Sequence, residues 1–388
     1  MKFAGRTHWE LTPNTITQTL NRRKASGKDL IDLTESNPTR CGFSFPVDEI
    51  IGGLHCRDNV NYRPSARGMQ KAREAVAGYY ARQGFSVSPD AVFLTASTSE
   101  AYSFLFRLLA DPGDGVLFPR PSYPLFQFLG ELNDVELAFY PLVDNRGWRI
   151  DLDDLKEQLT PRTKAIVLVN PNNPTGSYVR PEEKDALNAL CRDRGLAIIS
   201  DEVFWDFRFE NAPPAMSFTG NREALTFVLG GLSKCVAMPQ MKLSWIVASG
   251  PSVELEEAAS RLEVITDTYL SVNTPVQNAL PEWFGLLPQI QGQILARVNA
   301  NRRKFLNGQE PWTCLDAGGG WYAVLRLPEQ IPEETFVLRL LEEDGVFVHP
   351  GYFFDFEDEP YIVVSLLPSE ESVERGIAKI RERIRSWK

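Results

Sequence analysis

Between about residues 70 and 250 the chain repeats one pattern: a short, mostly apolar run, then a segment of helical period, then another apolar run. The runs are AVFLT at 91–95, GVLF at 115–118, ELAFY at 136–140, AIVLVN at 165–170, LAIIS at 196–200, TFVLGG at 226–231 and WIVAS at 245–249. Helices are expected at 70–83, 99–109, near 123–131 and at 181–194. A strand that is apolar on both faces must be covered on both faces, and crossover helices are the connections that do this for parallel neighbours. The pattern therefore predicts an α/β fold: a large domain over residues 46–279 with a mostly parallel sheet of the seven-stranded type covered by helices. After it come a long helical stretch at 252–308, GGGWYAVLRL, a helix at 333–344, GVFVHPG, YIVVSLL and a charged terminal helix at 369–387. Residues 280–388, joined by the N-terminal segment 1–45, are expected to form a smaller α+β domain.

Composition narrows the function. With 388 residues, 43% hydrophobic and 24% charged, the chain reads as an ordinary globular protein able to bury a large core. Its net charge of -10 argues against a nucleic-acid binder, which needs a basic face for the phosphate backbone. No window approaches the apolar length of a membrane span, and the N-terminus MKFAGRTHWELTPNT has no apolar core of a signal peptide, so a cytoplasmic protein is expected. Cys41, Cys56, Cys191, Cys235 and Cys314 are widely spaced and odd in number, which points to a reducing compartment rather than a disulfide framework or zinc site. His8, His55 and His349 are dispersed, which disfavours a histidine-based metal or triad site.

In an open parallel sheet ligands bind beyond the carboxyl ends of the strands. After AVFLT, Ser97, Thr98 and Ser99 open a helix and offer hydroxyls and free backbone N–H groups suited to a phosphate; Ser97 with Glu100 equally fits a capping box. After AIVLVN, the turn PNNPTG carries Asn173, aimed at the crevice or capping a helix. After LAIIS stands Asp201, either a buried carboxylate in need of a partner or a solvated loop residue. After TFVLGG comes Lys234, which either snorkels to solvent or is desolvated into an amine nucleophile. A phosphate cradle, an amide, a carboxylate and a lysine at successive strand ends suit one ligand, pyridoxal 5′-phosphate, with its phosphate, ring hydroxyl, ring nitrogen and aldehyde.

The segments YRPSARG, SEA, DPGDGVLFPRPSYP, NPNNPTG, SDEV, GLSK and PGYFF occur in an order and spacing that resembles the fold-type I, class I/II aminotransferases over nearly the whole chain. The resemblance implies a homodimeric enzyme that passes an amino group between an amino acid and a 2-oxo acid. It makes Lys234 the lysine that holds the cofactor as an internal aldimine and serves as base, and Asp201 the partner of the pyridine nitrogen. It gives Asn173 the ring oxygen, Tyr123 a stacking place on the ring, and Ser97, Thr98 and Ser99 the phosphate. Ser233 would support the lysine loop, and Tyr62 would reach the phosphate of the neighbouring subunit.

Four positions depart from the family pattern. Phe204 stands where a tyrosine hydroxyl usually bonds the ring oxygen, so a raised aldimine pKa is expected. Lys242 replaces a phosphate-binding arginine and loses its bidentate fork, and Gly231 replaces a phosphate-binding serine. Val363 stands where an arginine usually clamps the substrate carboxylate. Asn37 and Arg40 of ESNPTR are the candidate substitutes, with a solvated loop as the plain alternative for Arg40. A carbon–sulfur lyase or an elimination or replacement enzyme on the same scaffold is the second reading, since scaffold does not fix reaction. A non-catalytic cofactor-sensing module is the third, disfavoured by the acidic charge and by the lack of a preceding helix-turn-helix domain.

Overall fold

The computed structural model describes residues 1–144, 147–210, 212–270, 272–306, 308, 310–357 and 360–387. One sheet dominates it, with strands in the spatial order Val92–Thr95, Ser244–Ser249, Thr226–Gly231, Ala197–Asp201, Thr163–Val169, Gly115–Arg120, Glu136–Asp144 and Trp148–Ile150. The five from Thr226–Gly231 to Glu136–Asp144 run parallel. Ser244–Ser249 is antiparallel to both neighbours, and the short Trp148–Ile150 folds back on Glu136–Asp144 as a hairpin. Seven strands thus make the body, as the apolar runs predict, and the three-residue hairpin strand adds an eighth.

Both faces are covered. Along Val92–Thr95, Val92 and Leu94 enter one apolar core and Phe93 the other, as the two-residue period of a strand requires. The core on the Phe93 side is closed by Tyr102, Leu105 and Phe106 of the helix Thr98–Leu109 and by Leu262 of Ser252–Tyr269. The expected helical stretch at 252–308 is three helices, Ser252–Tyr269, Thr274–Trp283 and Leu287–Phe305; its positions 271 and 307 lie outside the described residues. Asn273 caps the second helix by accepting from Val276 N, and prolines stand in the first turn of the second and third, where the missing N–H costs nothing.

The smaller sheet is antiparallel, in the order Thr313–Cys314, Tyr322–Arg326, Tyr361–Ser365 and His349–Pro350. Beside it the N-terminal segment forms a separate two-stranded sheet, Ile31–Asp32 pairing in parallel with Val346–Phe347, and Ser365 N at the end of Tyr361–Ser365 donates to Leu33 O at 2.7 Å. No helix among the described residues is long and apolar enough to cross a membrane.

Candidate active site

Lys234 lies in the single helical turn Leu232–Cys235 that follows the strand Thr226–Gly231. Gly230 and Gly231 belong to that strand and are not a flexible end; what they supply is room, since a Cβ on Gly230 would fall 2.5 Å from the indole nitrogen of Trp245. The Lys234 ammonium sits 5.0 Å from the ring centroid of Phe204 and 5.0 Å from that of Trp321, two rings packed edge to face. Burial lowers the pKa of this amine to about 8, and the carboxylate of Asp201 opposes that shift. A much larger share of Lys234 is therefore neutral near pH 7 than of a surface lysine.

Asp201 is the last residue of the strand Ala197–Asp201 and is 8% exposed, which rules out the solvated-loop alternative. Its two oxygens accept from the Tyr102 hydroxyl at 3.0 Å and from Val203 N at 3.2 Å. Burial raises its pKa to about 6, against the pull of these two hydrogen bonds and of Lys234. Among the described residues no cation comes within ion-pair distance of it.

At the end of the strand Val92–Thr95 the capping reading of Ser97 holds. Its hydroxyl oxygen accepts from Glu100 N at 3.1 Å while Glu100 accepts from Ala96 N at 2.7 Å, a reciprocal cap. Thr98 and Ser99 are half-buried in the first turn of the helix Thr98–Leu109, whose leading amides have no acceptor within the helix. Asn173 is 8% exposed and its side-chain oxygen is sealed without a partner. It caps no helix, since the following one, Pro181–Arg194, is capped at Arg180.

Other expected residues lie further out. Ser233 is half-buried in the same turn as Lys234. Lys242 is exposed in a left-handed conformation, φ 52°, just ahead of Ser244–Ser249. Tyr123 and Tyr62 are exposed. Asn37 accepts from Thr39 N at 3.1 Å and from its hydroxyl at 2.8 Å, while the side chain of Arg40 is 74% exposed and lies 3.9 Å from Glu35. Val363 is fully buried in the small sheet, opposite Val324 and His349.

The fold thus gathers Lys234, Asp201 and Phe204, with Tyr102 and Trp321 as neighbours that the local sequence did not single out. Tyr102 falls on the helix face turned to the strand ends, a placement visible only once helix and sheet are packed. Trp321 comes from the small sheet region, more than eighty positions from the lysine. A half-buried amine of lowered basicity, a buried carboxylate without a cation, a sealed amide with one unpartnered end and a helix N-terminus together fit pyridoxal 5′-phosphate.

A mostly parallel α/β sheet carrying these groups just beyond the ends of its strands is the framework of a pyridoxal-phosphate-dependent enzyme. Residues 29–380 match the family model described as aminotransferase class I and II. The chain is similar to a glutamate-pyruvate aminotransferase of Haemophilus influenzae, 26% identical over 92% of this chain and 91% of that protein. It is 33% identical to nicotianamine aminotransferase 1 of Oryza sativa subsp. japonica over 86% of this chain and 70% of that protein. Among solved structures, alanine aminotransferase from Pyrococcus furiosus superposes with a TM-score of 0.89 at 24% identity, covering 99% of this chain and 100% of that one. The chain belongs to the class I and II aminotransferases, and it is a pyridoxal-phosphate-dependent enzyme of amino-group transfer.

Proposed function

We propose that Lys234 carries the cofactor and moves the substrate proton, with Asp201 tuning the ring, in transfer between an amino acid and a 2-oxo acid. The observation that carries this reading is the joint placement of a half-buried amine and a buried carboxylate whose pKa values are displaced towards each other, to about 8 and about 6. When bound, the cofactor supplies an electron sink for the pair left at Cα once its hydrogen is removed. Once the substrate amine has taken its place on the cofactor, the freed Lys234 amine, with its basicity lowered by burial, would take that proton and deliver it to the former aldehyde carbon. Asp201, steadied by Tyr102, holds a proton on the ring nitrogen, because a nearby negative charge favours the protonated base.

Asn173 would donate to the ring oxygen, Tyr123 would lie against the ring, and Phe204 would pack beside it without a hydroxyl to offer. Ser97, Thr98 and Ser99, the amides of their helix and Lys242 hold the phosphate, and Ser233 supports the turn that bears Lys234. Asn37 and Arg40 take the substrate carboxylate in place of the guanidinium absent at Val363. The pieces 46–279 and 1–45 with 280–388 act as the large and small domains. Exposed Val47, Ile51, Val60 and Tyr62, with Val264, Tyr269 and Leu270, supply apolar surface for a second copy, whose phosphate Tyr62 would reach. The five free cysteines suit a cytoplasmic enzyme.

Relatives named for alanine and for glutamate with pyruvate make these the first substrates to try. The test is to mix the purified protein with a panel of amino acids and either pyruvate or 2-oxoglutarate and to follow the new amino acid. Transfer that stops when the 2-oxo acid is omitted supports the reading. Pyruvate and ammonia released from a cysteine conjugate without any acceptor would replace it with elimination.

A further inference from the structure

We infer that Ser244 provides the phosphate-binding hydroxyl that Gly231 cannot. The inference rests on the cofactor reading above and concerns a residue with no role there. Gly231 stands three residues before the lysine, where the sequence resemblance calls for a serine. The two positions are direct cross-strand partners in the antiparallel pair Thr226–Gly231 and Ser244–Ser249, so their side chains share one face. A Cβ placed on Gly231 would lie 2.3 Å from Ser244 Oγ and 3.0 Å from Ser244 Cβ. A side chain at 231 would therefore displace the hydroxyl of Ser244, which occupies the space that the missing side chain would fill. The backbone of Gly231 is extended, φ 179°, so glycine is needed there for room and not for conformation.

The shared face is the one turned to the helix Thr98–Leu109. Phe227, Leu229, Ile246 and Phe93, at two-residue spacing from Gly231, Ser244 and Thr95, lie in the core that Tyr102 and Phe106 of that helix close. Ser244 also pairs directly with Thr95, whose hydroxyl donates to Ser97 O at 3.0 Å. Gly231, Ser244 and Thr95 thus form one row running from the strand before the lysine to the capping residue of the helix. Ser244 is 2% exposed and its hydroxyl makes no hydrogen bond among the described residues. A hydroxyl fixed on a buried strand, without a protein acceptor and beside a helix N-terminus, suits a dianionic phosphate, whose charge strengthens the bond.

The experiment measures dissociation constants of the apo-protein for pyridoxal 5′-phosphate and for pyridoxal, which shares the aldehyde and lacks the phosphate. Ser244→Ala is expected to weaken the phosphorylated form about 10-fold or more, as for a lost hydrogen bond to a charged group, while pyridoxal binds as to wild type. Gly231→Ser alone is expected to bind worst, because its side chain meets Ser244. The exchange Gly231→Ser with Ser244→Gly restores the hydroxyl from the opposite strand and is expected to return affinity to within about 3-fold of wild type. Equal affinity of wild type and Ser244→Ala for the phosphorylated form, equal losses for both ligands, or no rescue by the exchange would overturn the inference. Failure of the wild type itself to take the cofactor on Lys234 would instead sink the functional reading on which it rests.

Discussion

The hydroxyl of Tyr102 donates to Asp201 Oδ2 at 3.0 Å, joining the helix that follows one strand to the end of another. That bond is one of the forces holding the Asp201 pKa down against burial. Tyr102→Phe keeps the ring and removes the donor, so Asp201 becomes harder to ionise. We expect kcat/KM to fall about tenfold at pH 6 and to recover towards wild type by pH 8.5, since one bond to a charged group is worth about 1–2 pKa units. The pH–rate profile of the variant checks this; a uniform loss at every pH would assign Tyr102 a packing role alone.

Asp201 destabilises the fold it serves. Its pKa is about 6 in the folded protein against 3.8 for the free side chain, so the folded state binds the proton more tightly. The stabilising contribution is complete below pH 3.8 and is lost as pH rises to about 6, by roughly 3 kcal/mol for two units. Apo Asp201→Asn is therefore expected to melt at the wild-type temperature at pH 4 and above it at pH 8, with catalysis gone. Calorimetry at the two pH values reads this directly.

Trp321 and Phe204 each face the Lys234 ammonium at 5.0 Å, and such a ring favours the charged form. Trp321→Leu should lower the Lys234 pKa below its value of about 8, by roughly 0.5–1 unit. The pH dependence of the rate at which the apo-protein captures an aromatic aldehyde reports that pKa. An unchanged midpoint would show that the indole only fills space.

Arg40 pairs with Glu35 at 3.9 Å on an exposed turn, and Val363 offers no charge. If Arg40 swings to the substrate carboxylate, Arg40→Ala raises KM for amino-acid donors about tenfold or more and leaves kcat near wild type. Steady-state kinetics with alanine and glutamate decide it, and an unchanged KM removes Arg40 from the site.

Most of the sheet is legible because strands such as Val92–Thr95, Ala197–Asp201 and Ser244–Ser249 are buried on both faces and so leave apolar runs. Asp201 and Lys234 were legible for the same reason, each standing where such a run stops. The two-residue strands Ile31–Asp32, Val346–Phe347 and His349–Pro350 are too short for any period to show. Tyr102, Trp321 and Ser244 gain their meaning from pairings between distant segments, and no local pattern carries that information. The breaks at Asn273 and at Leu287–Pro288 do have local signals, a capping residue and prolines.

We propose the amine of Lys234 as the attachment point of the cofactor. The direct measurement is reduction of the yellow protein with borohydride, digestion, and mass mapping of the pyridoxyl group. A single adduct is expected on the peptide containing Lys234, absent after Lys234→Ala. An adduct on another lysine, or none on a protein that still transfers amino groups, would contradict it.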